Sequence, residues 1–381
     1  MSYTKKKNKS IRSVVFVSPH VDHYGAEKSM MTYVKYIKKQ GITPILILPW
    51  YGSLVEELKE ENIEYCIFRY FLWINEKKKL IGIIKYILNY FCAIYIFMWL
   101  KKKKYAPCLV HTNSITTPFG VQLSKILRTP HIQHIREFGT LDFDMKFNFS
   151  DIFVSKVLSQ SKEIICISDA VKEYYEKKIT GTKIVTIYNG VETNDKKNKL
   201  EEKCGFYILL IGRLSEEKGQ EDVIKAVSSL IKSGYKDIYL HMYGDGKDYD
   251  KLNDLIYKLG VGDNVRLCGY SKNIDIQNYD VGIMASKNEA FGRVTVEYML
   301  NGLPVIGTNS GGTKEIIVDG VTGYTFTKGN IDELQNHIVV LYQNPVLRNK
   351  MGDSGKNRAK TLFSKEKYCQ EIYYVYEKIM K

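Results

Sequence analysis

The 381-residue chain is longer than one ordinary hydrophobic core requires, so its length and 44% hydrophobic content predict two folded domains and argue against disorder. Its seven cysteines are scattered without a C-x-x-C pair, which excludes a zinc ribbon or a disulfide framework and favours a reducing, cytoplasmic compartment. The net charge of +14 lies almost entirely in residues 1–190, which hold 29 Lys and Arg against 16 Asp and Glu.

This uneven charge predicts an anionic partner for the first half of the chain. Residues 191–381 hold 27 Lys and Arg against 26 Asp and Glu and are nearly neutral. A basic domain is typical of proteins that bind nucleic acid, an anionic membrane surface or a phosphorylated acceptor. A genome-wide bias toward lysine would produce the same excess without a partner, and both explanations stay open here.

Short apolar runs alternate with helix-like stretches along the first half, which indicates a parallel, doubly wound sheet. The runs lie at residues 13–18, 44–49, 63–68, 108–111, 131–135, 163–167 and 183–188.

The segment 80–100 (LIGIIKYILNYFCAIYIFMWL) is long enough to cross a bilayer and has lysine runs on both sides. Lys85 and Asn89 interrupt it at helical i, i+4 spacing, and the strands before and after it are expected to belong to one sheet. Three interpretations remain: a structural helix of the domain, which we favour, an interfacial helix, and a membrane span.

The strand and helix pattern restarts at residues 206–211, and a polar stretch without apolar periodicity precedes it. We therefore predict an N-terminal domain at 1–191, a linker at 192–203, a C-terminal domain at 204–365 and a last helix at 366–381 that packs back on the N-terminal domain. The fold class is α/β, with two Rossmann-like doubly wound domains facing a central cleft. The later strands are predicted at 238–243, 265–268, 281–285, 304–307 and 323–326.

The densest cluster of chemically informative residues lies between 286 and 326. Glu289 follows an apolar strand, Gly292 permits a close backbone approach, and Glu297 lies in the helix after it. The free amides at a helix N-terminus suit a diphosphate. A carboxylate in such a helix can accept hydrogen bonds from a ribose diol, and one in the loop can hold sugar hydroxyls. The alternative is a surface helix with two solvated glutamates.

This stretch resembles the retaining glycosyltransferases of family 4, whose hallmark E-x-F-G-x-x-x-x-E is present as 289–297. The following G-x-P-V-I and G-G-x-x-E-I-I are present at 302–306 and 311–317. The resemblance covers most of the chain and implies the two-domain GT-B fold. It also implies that Glu297 binds the donor ribose, that Glu289 lies at the reaction centre, and that three neighbours contribute to the donor site, namely Phe291, Gly292 and Arg293.

A second match is the segment IGRLSEEKG at 211–219. Arg213 follows a strand and Lys218 comes five positions later, so the two cations could neutralise a diphosphate and stabilise its charge as it leaves. The family uses its G-R-L and E-K-G residues in this way. An ordinary solvated loop is the alternative.

In the first half, Gly25-Ala26-Glu27 resembles the family's G-G-A-E loop, with Tyr24 in place of the first glycine. The resemblance places Gly25 at the transferred sugar and phosphate, although a simple helix start would look the same. Around His134 and Arg136 the family often has a His-Asp pair at a strand end. Either of these two residues could take the histidine's place as an acceptor-side catalytic residue.

Asp142-Phe143-Asp144 resembles the D-x-D that holds a metal in single-domain GT-A enzymes. It follows no buried strand edge of such a layout, so we interpret it as a chance match. No His/Cys cluster suggests a metal site either. We expect neither a metal nor a cofactor, with the nucleotide-diphosphate sugar acting as substrate.

These observations predict a metal-independent, retaining hexosyltransferase at the cytoplasmic face of the membrane. Its acceptor is expected to be a saccharide or lipid-linked saccharide in surface-polysaccharide synthesis, and its partners to include an anionic membrane surface but no nucleic acid. The alternatives are a sugar-nucleotide epimerase on the same fold and a non-enzymatic protein that binds an anionic polymer. The donor base, the sugar, the acceptor and the oligomeric state are not predicted.

Overall fold

A computed structural model describes residues 13–22, 24–142, 145–192 and 204–380, which form two compact units. Unit 1 contains the chain up to Ile167, Val171–Ile187 and the residues from Tyr368 onward. Unit 2 contains Ser168–Ala170 and Tyr188–Lys367. Most of the predicted linker, residues 193–203, lies outside the described residues, as does Asp144.

Unit 1 is built on a seven-stranded parallel sheet in the order β3-β2-β1-β4-β5-β6-β7. The strands are β1 (Ser13–Val17), β2 (Thr43–Leu48), β3 (Glu64–Ile67), β4 (Pro107–Asn113), β5 (His131–Ile135), β6 (Glu163–Cys166) and β7 (Lys183–Thr186). The connecting helices are α1 (Gly25–Lys39), α2 (Leu54–Glu60), α3 (Lys79–Lys102), α4 (Phe119–Leu127), α5 (Asp151–Leu158) and α6 (Asp169–Glu176).

Unit 2 is built on a six-stranded parallel sheet in the order β10-β9-β8-β11-β12-β13. The strands are β8 (Phe206–Ile211), β9 (Ile238–Tyr243), β10 (Val265–Leu267), β11 (Val281–Met284), β12 (Val305–Thr308) and β13 (Gly323–Phe326). The helices are α7 (Gln220–Lys232), α8 (Tyr249–Leu259), α9 (Arg293–Leu300), α10 (Thr313–Ile316), α11 (Ile331–Gln343), α12 (Pro345–Leu362) and α13 (Lys365–Met380). Two parallel α/β domains confirm the predicted fold class.

Burial on both faces explains why the strands read as continuous apolar runs rather than as alternating ones. In β1, Val14 and Phe16 belong to one hydrophobic cluster, whereas Val15 and Val17 belong to another on the opposite face. Parallel strands end at the same edge of a sheet, so the loops after β1, β4 and β5 lie near one another in unit 1. The loops after β8, β11 and β12 do the same in unit 2.

Helix α13 begins in unit 2 and continues into unit 1. Its side chains Tyr368, Cys369, Ile372, Val375 and Tyr376 are buried in the same hydrophobic cluster as β1 and α1. The end of the chain therefore supplies part of the core around its beginning.

Helix α3 is the apolar segment for which three interpretations were open. Among the described residues it is the one helix long and apolar enough to cross a membrane by length and composition. It connects β3 with β4, which lie in one sheet, and buries Ala93, Ile96 and Leu100 against that sheet. Because both of its ends join strands of one sheet, we interpret α3 as a structural or interfacial helix rather than as a membrane span.

Candidate active site

In unit 2, the loop after β8 carries both predicted cations on a tightly packed turn. Arg213 is exposed just beyond the strand, and Lys218 lies in a short 3-10 turn that ends at Gly219. Gly219 has φ +71°, and a Cβ atom there would lie 2.3 Å from the carbonyl oxygen of Ala285. The turn therefore packs directly on the end of β11, an approach that only glycine permits.

This packing brings Lys218 to Glu289, the first glutamate of the motif. Lys218 Nζ lies 2.6 Å from Glu289 Oε2, and the Lys287 amide donates a hydrogen bond to the Glu217 carbonyl at 2.9 Å. The loops after β8 and β11 are thus joined through both backbone and side chains. Both charged groups are half-buried, so their attraction is less screened by water than that of a fully exposed pair.

A third cation, which the sequence reasoning missed, lies beside the same turn. Lys328 follows β13, and its Nζ lies 2.7 Å from Asp222 Oδ2. The same Nζ would be 2.3 Å from a Cβ atom at Gly219. Lysine is abundant in this chain, and only the topology that brings β13 next to β12 places this one near the turn.

The glycine pair after β12 supports Glu289 from its other side. Gly311 has φ +54°, and the Gly312 amide donates to the Glu289 carbonyl at 2.7 Å. A Cβ atom at Gly312 would lie 2.6 Å from the Phe291 Cα. The two glycines therefore allow one loop to press on the backbone of the other.

Helix α9 begins just after Gly292, whose φ is +98°, and carries Glu297 half-buried in its second turn. The next residue, Tyr298, is buried, and its hydroxyl accepts a hydrogen bond of 2.7 Å from the amide of Ile211 at the end of β8. This bond ties α9 to the strand from which Arg213 emerges. The backbone amides of the helix N-terminus lie just after Gly292.

The remaining predicted donor residues have structural contacts within unit 2. The Phe291 side chain is buried against Tyr188 and Phe363, with ring centroids 6.1 and 5.7 Å away. Arg293 donates to the Gly190 carbonyl at 3.2 Å. The Phe291 ring therefore helps to fix the position of the loop, and its role in donor binding stays a prediction.

In unit 1, His134 is fully buried on β5 at one end of a hydrogen-bonded chain. Its Nδ1 lies 3.2 Å from His111 Nε2, and His111 Nδ1 lies 2.5 Å from the Tyr376 hydroxyl. Burial lowers the pKa of both histidines well below the usual range, and the charge of Arg136 lowers it further. His134 is therefore neutral near pH 7, and its Nε2 has no hydrogen-bond partner among the described residues.

Arg136 follows β5 directly and is almost fully buried. Its Nε donates to Asn113 Oδ1 at 2.8 Å, and one terminal nitrogen donates to the Tyr368 hydroxyl at 3.0 Å. The neighbouring Glu137 accepts bonds from the Ser114 hydroxyl and the Ile115 amide, and burial raises its pKa to about 7. These contacts hold the ends of β4 and β5 together.

Glu27 is a buried carboxyl that the sequence reasoning did not assign. It lies in the first turn of α1, two residues after the predicted Gly25, where the helix begins. Burial raises the pKa of Glu27 to about 7, against the opposing effects of its own backbone hydrogen bond and of Arg136. Its Oε1 has no hydrogen-bond partner among the described residues. Its place in Gly-Ala-Glu was the available signal, but sequence does not distinguish a buried helix-start glutamate from a solvated one.

Asp142, the first residue of the D-x-D match, forms hydrogen bonds with the backbone of its own loop. Its two carboxylate oxygens accept hydrogen bonds from the amides of Phe138 and Gly139 at 2.9 and 2.8 Å. Across residues 13–22, 24–142, 145–192 and 204–380, no group of three or more His, Cys, Asp or Glu side chains is placed to hold a metal ion.

Two protein families match this chain in adjoining segments. Residues 24–195 match Glycosyltransferase Family 4, and residues 191–358 match Glycosyl transferases group 1. Together the two matches extend from the start of α1 into α12, and they include every candidate residue described above.

Individual relatives are similar over 48% to 97% of the chain. A glycosyltransferase of Methanocaldococcus jannaschii, itself uncharacterised, is 29% identical over 264 residues, 68% of this chain and 72% of the relative. The poly(glycerol-phosphate) alpha-glucosyltransferase of Bacillus subtilis is 24% identical over 97% of this chain and 57% of its own length. A capsular polysaccharide biosynthesis glycosyltransferase of Staphylococcus aureus is 28% identical over 48% of this chain and 50% of its own.

Solved structures share the fold over nearly the whole chain. A glycosyltransferase from Rickettsia africae superposes with a TM-score of 0.81 at 24% identity, covering 97% of this chain and 99% of that one. Anabaena HepE, solved in complex with UDP, has a TM-score of 0.77 at 21% identity and covers 96% of this chain and 100% of its own.

Proposed function

Because this chain belongs to glycosyltransferase family 4, of the GT-B type, we propose that it is a retaining, metal-independent hexosyltransferase that uses a nucleotide-diphosphate sugar. The observation that supports this most strongly is the ion pair between Lys218 and Glu289, with Arg213 and Glu297 on neighbouring elements. A site for a sugar diphosphate needs cations for the phosphates and carboxylates for the hydroxyls, and unit 2 carries both.

We propose that unit 2 binds the donor. Arg213 and Lys218 neutralise the diphosphate, Glu297 accepts hydrogen bonds from the ribose diol, and Glu289 holds hydroxyls of the transferred sugar. Gly292 and Arg293 belong to the start of α9, and a helix N-terminus favours an anion. The binding of UDP by Anabaena HepE supports testing a uridine donor first.

Unit 1 is proposed to bind the acceptor. The buried groups His134, Arg136 and Glu27 lie at the strand edge where α1 begins with Gly25. His134 and Arg136 remain alternative acceptor-side catalytic residues. The names of the Bacillus and Staphylococcus relatives support a role in surface-polysaccharide synthesis. We further propose a lipid-linked saccharide acceptor, which suits the basic charge of this half.

The proposed chemistry exchanges one bond for another at the anomeric carbon. The acceptor hydroxyl forms a bond to that carbon on the face from which the phosphate leaves, and its proton passes to the departing phosphate oxygen. The negative charge that grows on the diphosphate is stabilised by Arg213 and Lys218, which act most strongly in the transition state.

Product analysis tests this proposal. The purified protein is incubated with UDP-, GDP- and ADP-sugars and a saccharide acceptor mixture, with and without EDTA. We expect one donor to yield free nucleoside diphosphate and a glycoside whose anomeric configuration, read by NMR, equals that of the donor. Release of an epimerised sugar without an acceptor product would favour the epimerase. Strict dependence on manganese or magnesium would contradict the metal-independent site.

A further inference from the structure

Helix α3 carries apolar side chains on its solvent-facing side as well as on its buried side, unlike an ordinary surface helix of a soluble domain. The two polar side chains that interrupt it are paired with other parts of unit 1. Asn89 is buried and bonds both backbone groups of Phe71, at 2.8 and 3.0 Å, and Lys85 forms an ion pair with Glu76. The residues that face solvent are apolar.

The solvent-facing residues of α3 form one continuous line, called here the outer stripe. They recur at alternating spacings of four and three residues, which places them on one side of a helix. Leu80, Phe91 and Met98 are 68%, 65% and 56% exposed. The outer stripe consists of Leu80, Ile84, Ile87, Phe91, Ile94 and Met98. It is about 27 Å long at the helical rise of about 1.5 Å per residue. An apolar patch of this extent marks an interaction surface rather than scattered exposed residues.

The apolar surface continues beyond α3 onto the start of α5. Tyr86 of α3 packs edge-on against Phe149 and Phe153, with ring centroids 5.4 and 5.3 Å away. Between those two aromatic residues lies Ile152, whose side chain is 83% exposed. Two elements therefore present apolar groups on the same part of unit 1.

Positive charge borders the outer stripe at both ends. Residues 77–79 are lysines before it and residues 101–104 are lysines after it, and all seven are exposed. The sequence from 77 to 106 contains no Asp or Glu. Tyr95 and Trp99 lie in the part of α3 just before the second lysine cluster. Lysine and amphipathic aromatic side chains beside an apolar segment are typical of helices that lie at a lipid headgroup layer.

We propose that α3 lies in the plane of an anionic membrane surface, with the outer stripe among the acyl chains and the two lysine clusters at the headgroups. The charge argues against a second copy of this chain, because each copy would bring the seven exposed lysines of residues 77–79 and 101–104 into the contact. A spanning orientation conflicts with the single sheet that holds both ends of the helix. The inference concerns a surface apart from the transfer residues and stands independently of the proposed reaction.

Vesicle co-sedimentation of the whole protein tests the inference without measuring activity. Vesicles of phosphatidylcholine alone are compared with vesicles that also contain phosphatidylglycerol, at low and high salt. We expect binding to require phosphatidylglycerol and to weaken with salt, since each lysine contributes through a screened attraction.

Two variants separate the apolar and the charged contributions. Replacing Ile87, Phe91 and Met98 by Gln should reduce vesicle binding at least about tenfold, because the inserted apolar area is lost. The matched control places Gln at three exposed hydrophobic residues of unit 2, Tyr257, Tyr270 and Val346. Replacing Lys101, Lys102 and Lys104 by Gln should reduce binding on the order of a hundredfold at low salt. Its control changes Lys232, Lys236 and Lys258, and Lys103 is kept because it pairs with Glu64 at 3.1 Å.

Circular dichroism and melting temperature confirm that each variant is folded before its binding is compared. The inference is overturned if the wild-type protein stays in the supernatant with phosphatidylglycerol vesicles at low salt, or if the control variants lose as much binding as the α3 variants. It is equally overturned if the wild type is a dimer in solution that the outer-stripe variant converts to a monomer.

Discussion

The ionisation of the buried carboxyl of Glu27 depends strongly on the fold. In water a glutamate is charged at pH 7, yet burial brings the pKa of Glu27 to about 7, so near neutrality it is about half protonated. Arg136 favours the charged form, and the unpartnered Oε1 leaves one acceptor for a ligand. A group in this state can respond to a bound acceptor or phosphate.

This ionisation makes stability depend on pH in a defined direction. The pKa of Glu27 is raised from an ordinary value of 4.5 to about 7 in the folded protein. The contribution of Glu27 to the free energy of unfolding is therefore full below about pH 4.5 and is lost as pH rises through about 7. We therefore expect Glu27→Gln to be about 1–3 kcal/mol more stable than wild type at pH 8 and similar to it at pH 4.5.

Urea unfolding at both pH values provides the measurement, with Glu60→Gln on the exposed side of α2 as a control for the charge change. Equal stability of the Glu27 variant and wild type at pH 8 would show that the carboxyl ionises without hindrance.

Removal of Glu297 is expected to change donor affinity, whereas removal of Arg213 is expected to change kcat. Glu297→Ala should weaken donor binding by about 1.5–3 kcal/mol, because a charge-assisted hydrogen bond to the ribose is lost away from the bond that breaks. Arg213→Ala should instead reduce kcat, because its charge acts on the departing diphosphate. Calorimetric donor titration and steady-state kinetics separate the two, and an unchanged donor affinity in folded Glu297→Ala would contradict the ribose assignment.

The resemblance to the family implied that Lys218 and Glu289 serve one ligand, and the structure places their charged atoms 2.6 Å apart. The sequence could not predict that the Phe291 ring is buried against Tyr188 and Phe363. Tertiary packing decides whether an aromatic side chain lines a ligand site or belongs to the hydrophobic core. Nor could the sequence identify Lys328, which reaches Gly219 only through the order of the strands. The catalytic and binding roles themselves stay predictions.

Among the elements, the loops after β8, β11 and β12 depend on glycines for close packing rather than for flexibility. Gly219 lies against the Ala285 carbonyl, and Gly311 and Gly312 lie against the backbone of residues 289–291. The consequence is that the motif residues are held by backbone contacts between loops. A single added methyl group would therefore move several candidate ligands together.

Gly219→Ala tests this idea against a matched position. Gly219 and Gly260 both have positive φ, +71° and +70°, but a Cβ atom at Gly260 would have no neighbour within 4 Å. Gly260→Ala should cost about 1–2 kcal/mol of stability from backbone strain alone and leave donor affinity unchanged. Gly219→Ala should cost more and lower donor affinity as well, because the turn must move off β11. Calorimetric donor titration and urea unfolding measure both effects, and similar results for the two variants would contradict the packing argument.

Helix α3 shows what periodicity cannot determine. Its sequence is apolar around nearly the whole helix, so a difference in polarity between its faces could not identify the buried face. Asn89, one of the two polar residues that interrupt the helix, lies on the buried side, which is the opposite of the ordinary expectation that polar residues face water. Only the fold shows that the apolar residues of the outer stripe are left uncovered.

At the scale of the whole molecule, the two-sheet architecture followed from the restart of the strand pattern at residue 206. Every predicted strand run overlaps an observed strand, because buried parallel strands are short, β-branched and bounded by turn residues. The contribution of α13 to the core of unit 1 was predicted as an expectation for residues 366–381, and five of its side chains are buried there. The extent of the linker stays a prediction, because residues 193–203 lie outside the described part.

The last helix should therefore matter for stability although it is far in sequence from its partners. Ile372 is fully buried in the unit 1 cluster, whereas Tyr374 is mostly exposed two residues later. We expect Ile372→Ala to cost about 2–5 kcal/mol and Tyr374→Ala less than about 0.5 kcal/mol. Thermal and urea unfolding of the full chain measure the difference, and equal effects of the two substitutions would contradict the placement of α13 in the core.

The return of α13 to unit 1 also fixes an order of events on the ribosome. The chain is made from its N-terminus, so all seven strands of unit 1 emerge before Tyr368, Ile372 and Tyr376 exist to complete their core. Unit 2 needs only the residues up to Lys367 and can close its own core earlier. Unit 1, most of which is synthesised first, therefore completes its core last, when α3 has already been synthesised. A nascent chain in that state exposes the apolar residues of α3 before the core of unit 1 is complete.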